Sequence, residues 1–108
     1  MNGDDMEIRV QDKGGFSSVA IEGEMNIYHA MELKSVVMKA LDEAEAVELD
    51  LSGVSEFDSS GLQIVLLACR EAEKNNRKLS VKASSAPVDS VIELFCLGGL
   101  LGRRERKA

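Results

Sequence analysis

The chain has 108 residues, of which 44% are hydrophobic and 30% charged, a composition that excludes extensive disorder and predicts a single domain over residues 1–108. Its net charge of −6, less the +3 of residues 103–107, leaves −9 on the remainder, and so acidic a body argues against nucleic acid as a partner. No apolar run reaches the roughly 20 residues of a membrane span, and residues 1–5 lack the features of a secretory signal. We therefore expect a cytoplasmic protein without membrane insertion, with frayed termini at 1–5 and 102–108. The basic tail could alternatively contact an acidic partner or a membrane surface.

The first predicted elements are a hairpin and a helix. Apolar and polar residues alternate from Met6 to Val10, which predicts a strand; Gly14-Gly15 predicts a turn and residues 16–22 a second strand. Asn26 is expected to cap the following helix. Apolar residues then recur at three- and four-residue steps, as in an amphipathic helix lying on a sheet: Ile27, Ala30, Leu33, Val37, Ala40, Leu41 and Ala44.

The second half of the chain alternates strands with helices. Residues 46–51 predict a strand, 52–57 a short loop, and 78–83 a further strand. The intervening helix, which starts at Asp58, is apolar over most of its circumference for two turns. Such a helix is either buried on several sides or presents apolar surface to a partner. A last helix has Pro87 in its first turn and ends at Gly98-Gly99.

The order of these elements predicts an α/β fold. Strands joined by crossover helices pair in parallel, whereas the opening hairpin is antiparallel. We expect a mixed sheet of about four strands covered by about three to four helices. A phosphoaspartate receiver domain has a similar alternation, but it starts strand–helix–strand and carries an acidic pair at the end of its first strand. Here Asp4 and Asp5 precede the first strand.

Enzymatic chemistry is not supported by the residue pattern. His29 is the sole histidine and lies far from Ser59 in sequence, so no Ser–His–Asp triad is indicated. Cys69 and Cys96 lie in apolar helical patterns and predict buried thiols rather than metal ligands. No glycine-rich nucleotide motif is present. We expect neither catalysis nor a metal nor a cofactor.

The remaining candidate is Asp58-Ser59-Ser60-Gly61. Asp and Ser are preferred helix caps, which accounts for part of the motif. Capping alone does not explain two consecutive hydroxyls before a glycine and an unusually apolar helix.

This region resembles the STAS domain of bacterial anti-sigma-factor antagonists. The segment VELDLSGVSEFDSSGLQIVLLACREAEKNNRKLSV is similar to the core of that family, EGEMNIYHAMELKSVV to its turn into the first helix, and SSAPVDSVIELFCLGGL to its closing helix. The resemblance covers roughly Met6 to Leu101. The Ser-Ala-Pro order in the last helix departs from the more common Ser-Pro-Ala.

The resemblance implies a regulatory switch in signal transduction and transcription. The residue that matches the family's phosphorylated serine is Ser59, which a serine kinase of the histidine-kinase-like ATPase fold, often the anti-sigma factor itself, would modify. A phosphatase of the PP2C type would reverse the modification. The residues implied to surround Ser59 and bind the partner, with the start of the helix exposed, are Asn26, Asp58, Ser60, Gly61 and Leu62.

The alternative is a constitutive adaptor without phosphorylation. Some STAS relatives act in transporters or signalling complexes, and parts of this chain look closer to chemotaxis and flagellar relatives. In that case Ser59 merely caps a helix, and Ser59→Ala would lower stability by about 1 kcal/mol.

Overall fold

The structure, a computed structural model, describes residues 6–94, with side chains described for residues 6–92. The expectations for the two termini, for Cys96 and for the helix end at Gly98-Gly99 lie outside the described residues.

The described chain forms one mixed sheet with helices in its crossovers. The strand order is β1-β2-β3-β4; β1 and β2 are antiparallel, and the other two pairings are parallel. The predicted sheet with its opening hairpin is confirmed, and three helices lie within the described part. The elements are β1 (Met6–Asp12), β2 (Phe16–Met25), α1 (Ala30–Glu43), β3 (Ala46–Phe57), α2 (Ser59–Lys74), β4 (Lys78–Ser84) and α3 (Ala86–Leu94).

The core lies between the helices and one face of the sheet. Alternate residues of β2 and β3 are buried, as the two-residue period of a strand with one covered face requires. The predicted apolar stripe of α1 is buried from Leu33 onwards, whereas Ile27 precedes the helix and is 69% exposed. The largest fully buried side chains are Ile21, Met25, Leu33, Leu41, Leu49, Leu51 and Ile92.

Strand β3 is longer than the sequence predicts, which decides where the candidate site lies. The expected loop at 52–57 is wrong, because these residues continue β3 and pair with the end of β2. Val54 and Phe57 are buried, and β3 contains one extra residue at each of two register shifts against β2, which accommodates the irregular spacing. Gly23 lies at one of these shifts and has a φ of +103, a backbone conformation that residues other than glycine rarely adopt. Met25 and Phe57 therefore end side by side.

Cys69 is half-buried and present as a thiol. Burial, with a smaller contribution from the charge of Glu73, raises the pKa of this thiol. The thiol is therefore protonated at neutral pH, but it is only half-buried, whereas the sequence predicts a buried thiol.

Ser17 offers a test of the core. Its side chain is 0% exposed, and its hydroxyl has no hydrogen-bond partner among the described residues. We expect Ser17→Ala to raise the free energy of unfolding by about 1 kcal/mol, because a desolvated, unbonded hydroxyl is removed. Urea unfolding measures the change. Ser18→Ala, on the half-exposed opposite face, is the control and should lie within about 0.5 kcal/mol of the wild type. A destabilised Ser17→Ala variant would show that the hydroxyl is bonded, for example to water.

Candidate functional site

The carboxyl ends of β2 and β3 lie together at one edge of the sheet, and α2 begins there. The backbone N–H of Asp58 donates to the carbonyl of Met25 over 3.5 Å. Asp58 directly follows β3, and α2 starts at the next residue. The motif Asp58-Ser59-Ser60-Gly61 therefore lies at the N-terminus of α2, next to the carboxyl ends of two parallel strands.

Asp58, rather than Ser59, caps α2. Its Oδ1 accepts hydrogen bonds from the backbone N–H groups of Ser60 at 2.9 Å and Gly61 at 3.3 Å. These are two of the donors that a helix start leaves without a partner. The capping role that the adaptor alternative gives to Ser59 is therefore wrong. Ser59 is instead the first helical residue.

The side chain of Ser59 is exposed, so its predicted exposure is confirmed. No hydrogen bond to its hydroxyl is formed within the described residues. The side chain of Ser59 thus makes no hydrogen bond that stabilises the described part of the fold, and its hydroxyl is accessible to a modifying enzyme. The modification itself stays a prediction.

Glycine is required at position 61 because the backbone of α2 lies very close to the ends of β2 and β3 there. A Cβ atom at this position would lie 2.9 Å from the Met25 carbonyl oxygen and 2.9 Å from Cδ1 of Phe57. Real Cβ atoms essentially never approach so closely, and a backbone carbonyl and a buried ring have little freedom to move. Gly61 therefore seats the first turn of α2 on the ends of β2 and β3.

Leu62 is buried. The expectation of an exposed apolar helix start with Leu62 first is wrong, because Leu62 is 8% exposed and packs into the core with Ile64 and Val65. The close seating of Gly61 turns this face of α2 inwards. Of the predicted partner-binding residues around Ser59, Asp58 is exposed and Ser60 half-buried, while Gly61 and Leu62 are covered. A partner-binding role for these residues stays a prediction.

Asn26 joins the two strand ends instead of capping α1. The predicted cap is wrong, because α1 begins at Ala30 and His29 occupies the cap position without a side-chain cap bond. Asn26 is 8% exposed. Its Oδ1 accepts from the N–H of Tyr28 at 3.0 Å, and its Nδ2 donates to Glu24 and Glu56, each at 3.2 Å. This amide fixes the β2–α1 connection beside the start of α2.

The connection carries exposed apolar side chains that the sequence pattern does not reveal. Ile27 is 69%, Tyr28 88% and Met31 85% exposed. Ile27 continues the apolar spacing of α1, so the sequence pattern predicts it to be buried, and this prediction is wrong. Tyr28 and Met31, two large apolar residues off that period, are the signal that could have identified this surface.

Two further properties concern the whole described part. None of its helices combines the length and apolar character that crossing a bilayer requires. Among the side chains of residues 6–92, His, Cys, Asp and Glu do not converge in threes as a metal site would need.

The cap can be tested separately from the phosphorylation. We expect Asp58→Ala to lower the free energy of unfolding by about 1 kcal/mol, whereas Asp58→Asn, which retains an acceptor, changes it less. Ser59→Ala should lie within about 0.5 kcal/mol of the wild type, because its hydroxyl does not cap the helix. Thermal and urea unfolding measure these values. A larger loss for Ser59→Ala than for Asp58→Ala would contradict this assignment of the cap.

Comparison with known proteins identifies the family. A family model described as "Mlab, STAS domain" matches residues 8–102. The chain belongs to the STAS domain family. An anti-sigma factor antagonist from Mycobacterium paratuberculosis is 24% identical to this STAS chain, over 98% of this chain and 92% of that one, with a TM-score of 0.80.

Two structures of SpoIIAA are also similar to the STAS chain. The anti-sigma factor antagonist SpoIIAA in its unphosphorylated form is 17% identical over 93% of this chain and 90% of that one, with a TM-score of 0.76. The Bacillus cell fate determinant SpoIIAA in its phosphorylated form is 16% identical over 93% of both chains, with a TM-score of 0.70. At these identities the likenesses show the fold.

Proposed function

We propose that this STAS chain is an anti-sigma-factor antagonist that binds an anti-sigma factor when Ser59 is unmodified and releases it when Ser59 is phosphorylated. The anti-sigma factor would itself be the serine kinase, with a histidine-kinase-like ATPase fold, and a PP2C-type phosphatase would restore binding. The chain is then a cytoplasmic, non-catalytic regulator of transcription.

One observation carries the proposal: Ser59 is exposed at the first position of α2 while its neighbours hold the helix in place. Asp58 caps the helix and Gly61 packs it against the strand ends. A change at Ser59 therefore alters the surface without removing a structural contact. The structures of SpoIIAA, a relative by fold, in unphosphorylated and phosphorylated forms are further support.

A phosphate at Ser59 is compatible with the fold. It adds about −1.5 to −2 charges and three acceptor oxygens. The N-terminus of a helix favours negative charge through its backbone N–H groups and its dipole. Phosphorylation is thus not expected to lower the free energy of unfolding.

The same phosphate opposes docking. Asp58 and Glu56, both exposed, already place carboxylates beside Ser59. A partner whose cations match these carboxylates would have to desolvate further charges that it cannot pair. Binding would be lost while the chain stays folded.

The experiment is a phosphopeptide analysis combined with a capture from the native cell. Mass spectrometry should detect phosphate on the peptide that contains Ser59. Immobilised wild-type chain should retain a protein with a histidine-kinase-like ATPase fold, and immobilised Ser59→Asp should not. Gln11→Glu, which adds the same charge on the exposed part of β1, is the control and should retain it. Equal retention by Ser59→Asp and wild type would contradict the proposal.

A constitutive adaptor in a transporter, chemotaxis or flagellar signalling complex is the second candidate, supported by the likeness of GEMNIYHAMELKSVV and VIELFCL to chemotaxis and flagellar STAS proteins. Its partner would be retained equally by the wild type and Ser59→Asp, and the Ser59 peptide would carry no phosphate.

A further inference from the structure

The apolar patch, defined as Ile27, Tyr28 and Met31, is the most exposed large apolar surface in the described part of the chain. Its side chains are 69%, 88% and 85% exposed, against 45% for Val10 and 37% for Leu67. A single exposed apolar residue is ordinary, but three within five residues mark an interaction surface.

The apolar patch is fixed next to Ser59. Asn26 accepts a hydrogen bond from the backbone of Tyr28 and donates one to Glu56, two residues before Asp58. The backbone N–H of His29 donates to the Asn26 carbonyl at 3.1 Å. The patch is thus held at the sheet edge where α2 begins, and an ordered surface loses less entropy on binding than a flexible loop does.

The charges around the patch are mostly negative. In the first two turns of α1, residues 30–36, and at the adjoining ends of β2 and β3, there is one cation, Lys34, against four carboxylates. These belong to Glu24, Glu32, Glu56 and Asp58. A complementary protein surface would combine an apolar pocket with Lys and Arg side chains at its rim.

We propose that the apolar patch is the specificity-determining contact of the Ser59 switch. Tyr28 and Met31 insert into an apolar pocket of the partner, and cations at the rim of that pocket pair with Glu56 and Asp58. This inference rests on the proposed function, and it adds the surface that selects the partner. Tyr is suited to such an anchor, because it buries a large area with few rotatable bonds.

The placement explains how one phosphate acts on the whole interface. The partner's cations are matched to the carboxylates beside Ser59, so a phosphate there adds charge that stays unpaired when the patch is buried. The patch and Ser59 therefore belong to one binding surface. The patch contributes the affinity for the partner, and the phosphorylation state of Ser59 controls whether the partner binds.

A photocrosslinker tests the contact even while the partner is unidentified. The full chain, with p-benzoylphenylalanine replacing Tyr28, is expressed in the native cell, and a second chain carries it at Val10 as the control. We expect an adduct only from position 28, to a Lys- or Arg-containing segment of a protein with a histidine-kinase-like ATPase fold, and its loss in Ser59→Asp.

The other outcomes separate this inference from the proposed function. If Ser59-dependent capture of the kinase succeeds but position 28 gives no more adduct than position 10, the patch inference is overturned and the proposed function stands. An adduct to a protein without that fold, unchanged in Ser59→Asp, overturns the proposed function and, with it, the assignment of the patch to the Ser59 switch. An adduct to a second copy of the chain, or to a segment without cations, overturns the inference.

Affinity measurements with the crosslinked partner provide the second test. Tyr28→Ala and Met31→Ala should each raise the dissociation constant about tenfold or more, as anchors of an interface do. Val10→Ala, an exposed apolar residue outside the patch, should change it less than about twofold. Binding should also weaken as salt rises, because paired charges at a rim are screened. Equal effects of Tyr28→Ala and Val10→Ala would overturn the inference.

Discussion

Ser59→Asp is expected to weaken binding of the anti-sigma factor by at least about 100-fold, or about 2.7 kcal/mol of binding free energy. The new carboxylate lies beside Asp58, where the partner must bury it without a matching cation. The free energy of unfolding should stay within about 0.5 kcal/mol of the wild type, because a carboxylate at the first position of a helix interacts favourably with the dipole. Titration calorimetry with the captured partner and urea unfolding measure the two quantities.

Two further variants separate position from charge. Ser59→Ala should bind as the wild type does and should no longer respond to the kinase. Gln11→Glu carries the same added charge on exposed β1 and should bind within about twofold of the wild type. If Gln11→Glu and Ser59→Asp lost affinity equally, the effect would come from overall charge rather than from the site, and the switch assignment would be wrong.

Gly61→Ala is expected to lower the free energy of unfolding by about 2 kcal/mol, the magnitude typical of overpacking in a tight site. Replacement of a helical glycine by alanine ordinarily stabilises by about 1 kcal/mol, so the sign of the change is diagnostic. It is reversed here because the added methyl group would approach both the Met25 carbonyl and the Phe57 ring at 2.9 Å. Urea unfolding measures the difference.

Gly53→Ala is the matched control. A Cβ atom there would lie 2.7 Å from Cγ of Glu22, but the side chain of Glu22 is exposed and can move aside. We expect a change within about 1 kcal/mol of the wild type. A Gly61→Ala variant as stable as the wild type would contradict the close seating of α2 on the strand ends.

Much of the fold could be predicted because its pattern is local. The alternation of Val47, Leu49 and Leu51 with polar residues follows from a strand that has one covered face. The three- and four-residue spacing of Leu33, Val37 and Leu41 follows from a helix on that face. Crossover helices then require parallel pairing, and the observed sheet agrees.

The details of the site depend on tertiary contacts that no local pattern contains. The end of β3 reads as a loop because Ser52, Ser55 and Glu56 are polar, yet pairing with β2 keeps it extended. The sequence identified Asp58-Ser59-Ser60-Gly61 as the start of a helix. It could not show that the neighbouring strand ends would draw Leu62 inwards and leave Tyr28 exposed.

The most direct test of the central claim is a comparison of the chain with phosphoserine incorporated at position 59 and the unmodified chain. The partner's dissociation constant and the free energy of unfolding are measured on the same two samples. The account predicts that the modified chain loses binding by at least about 100-fold and unfolds within about 0.5 kcal/mol of the unmodified chain. Undiminished binding by the fully modified chain would contradict it, as would a loss of binding that is accompanied by unfolding.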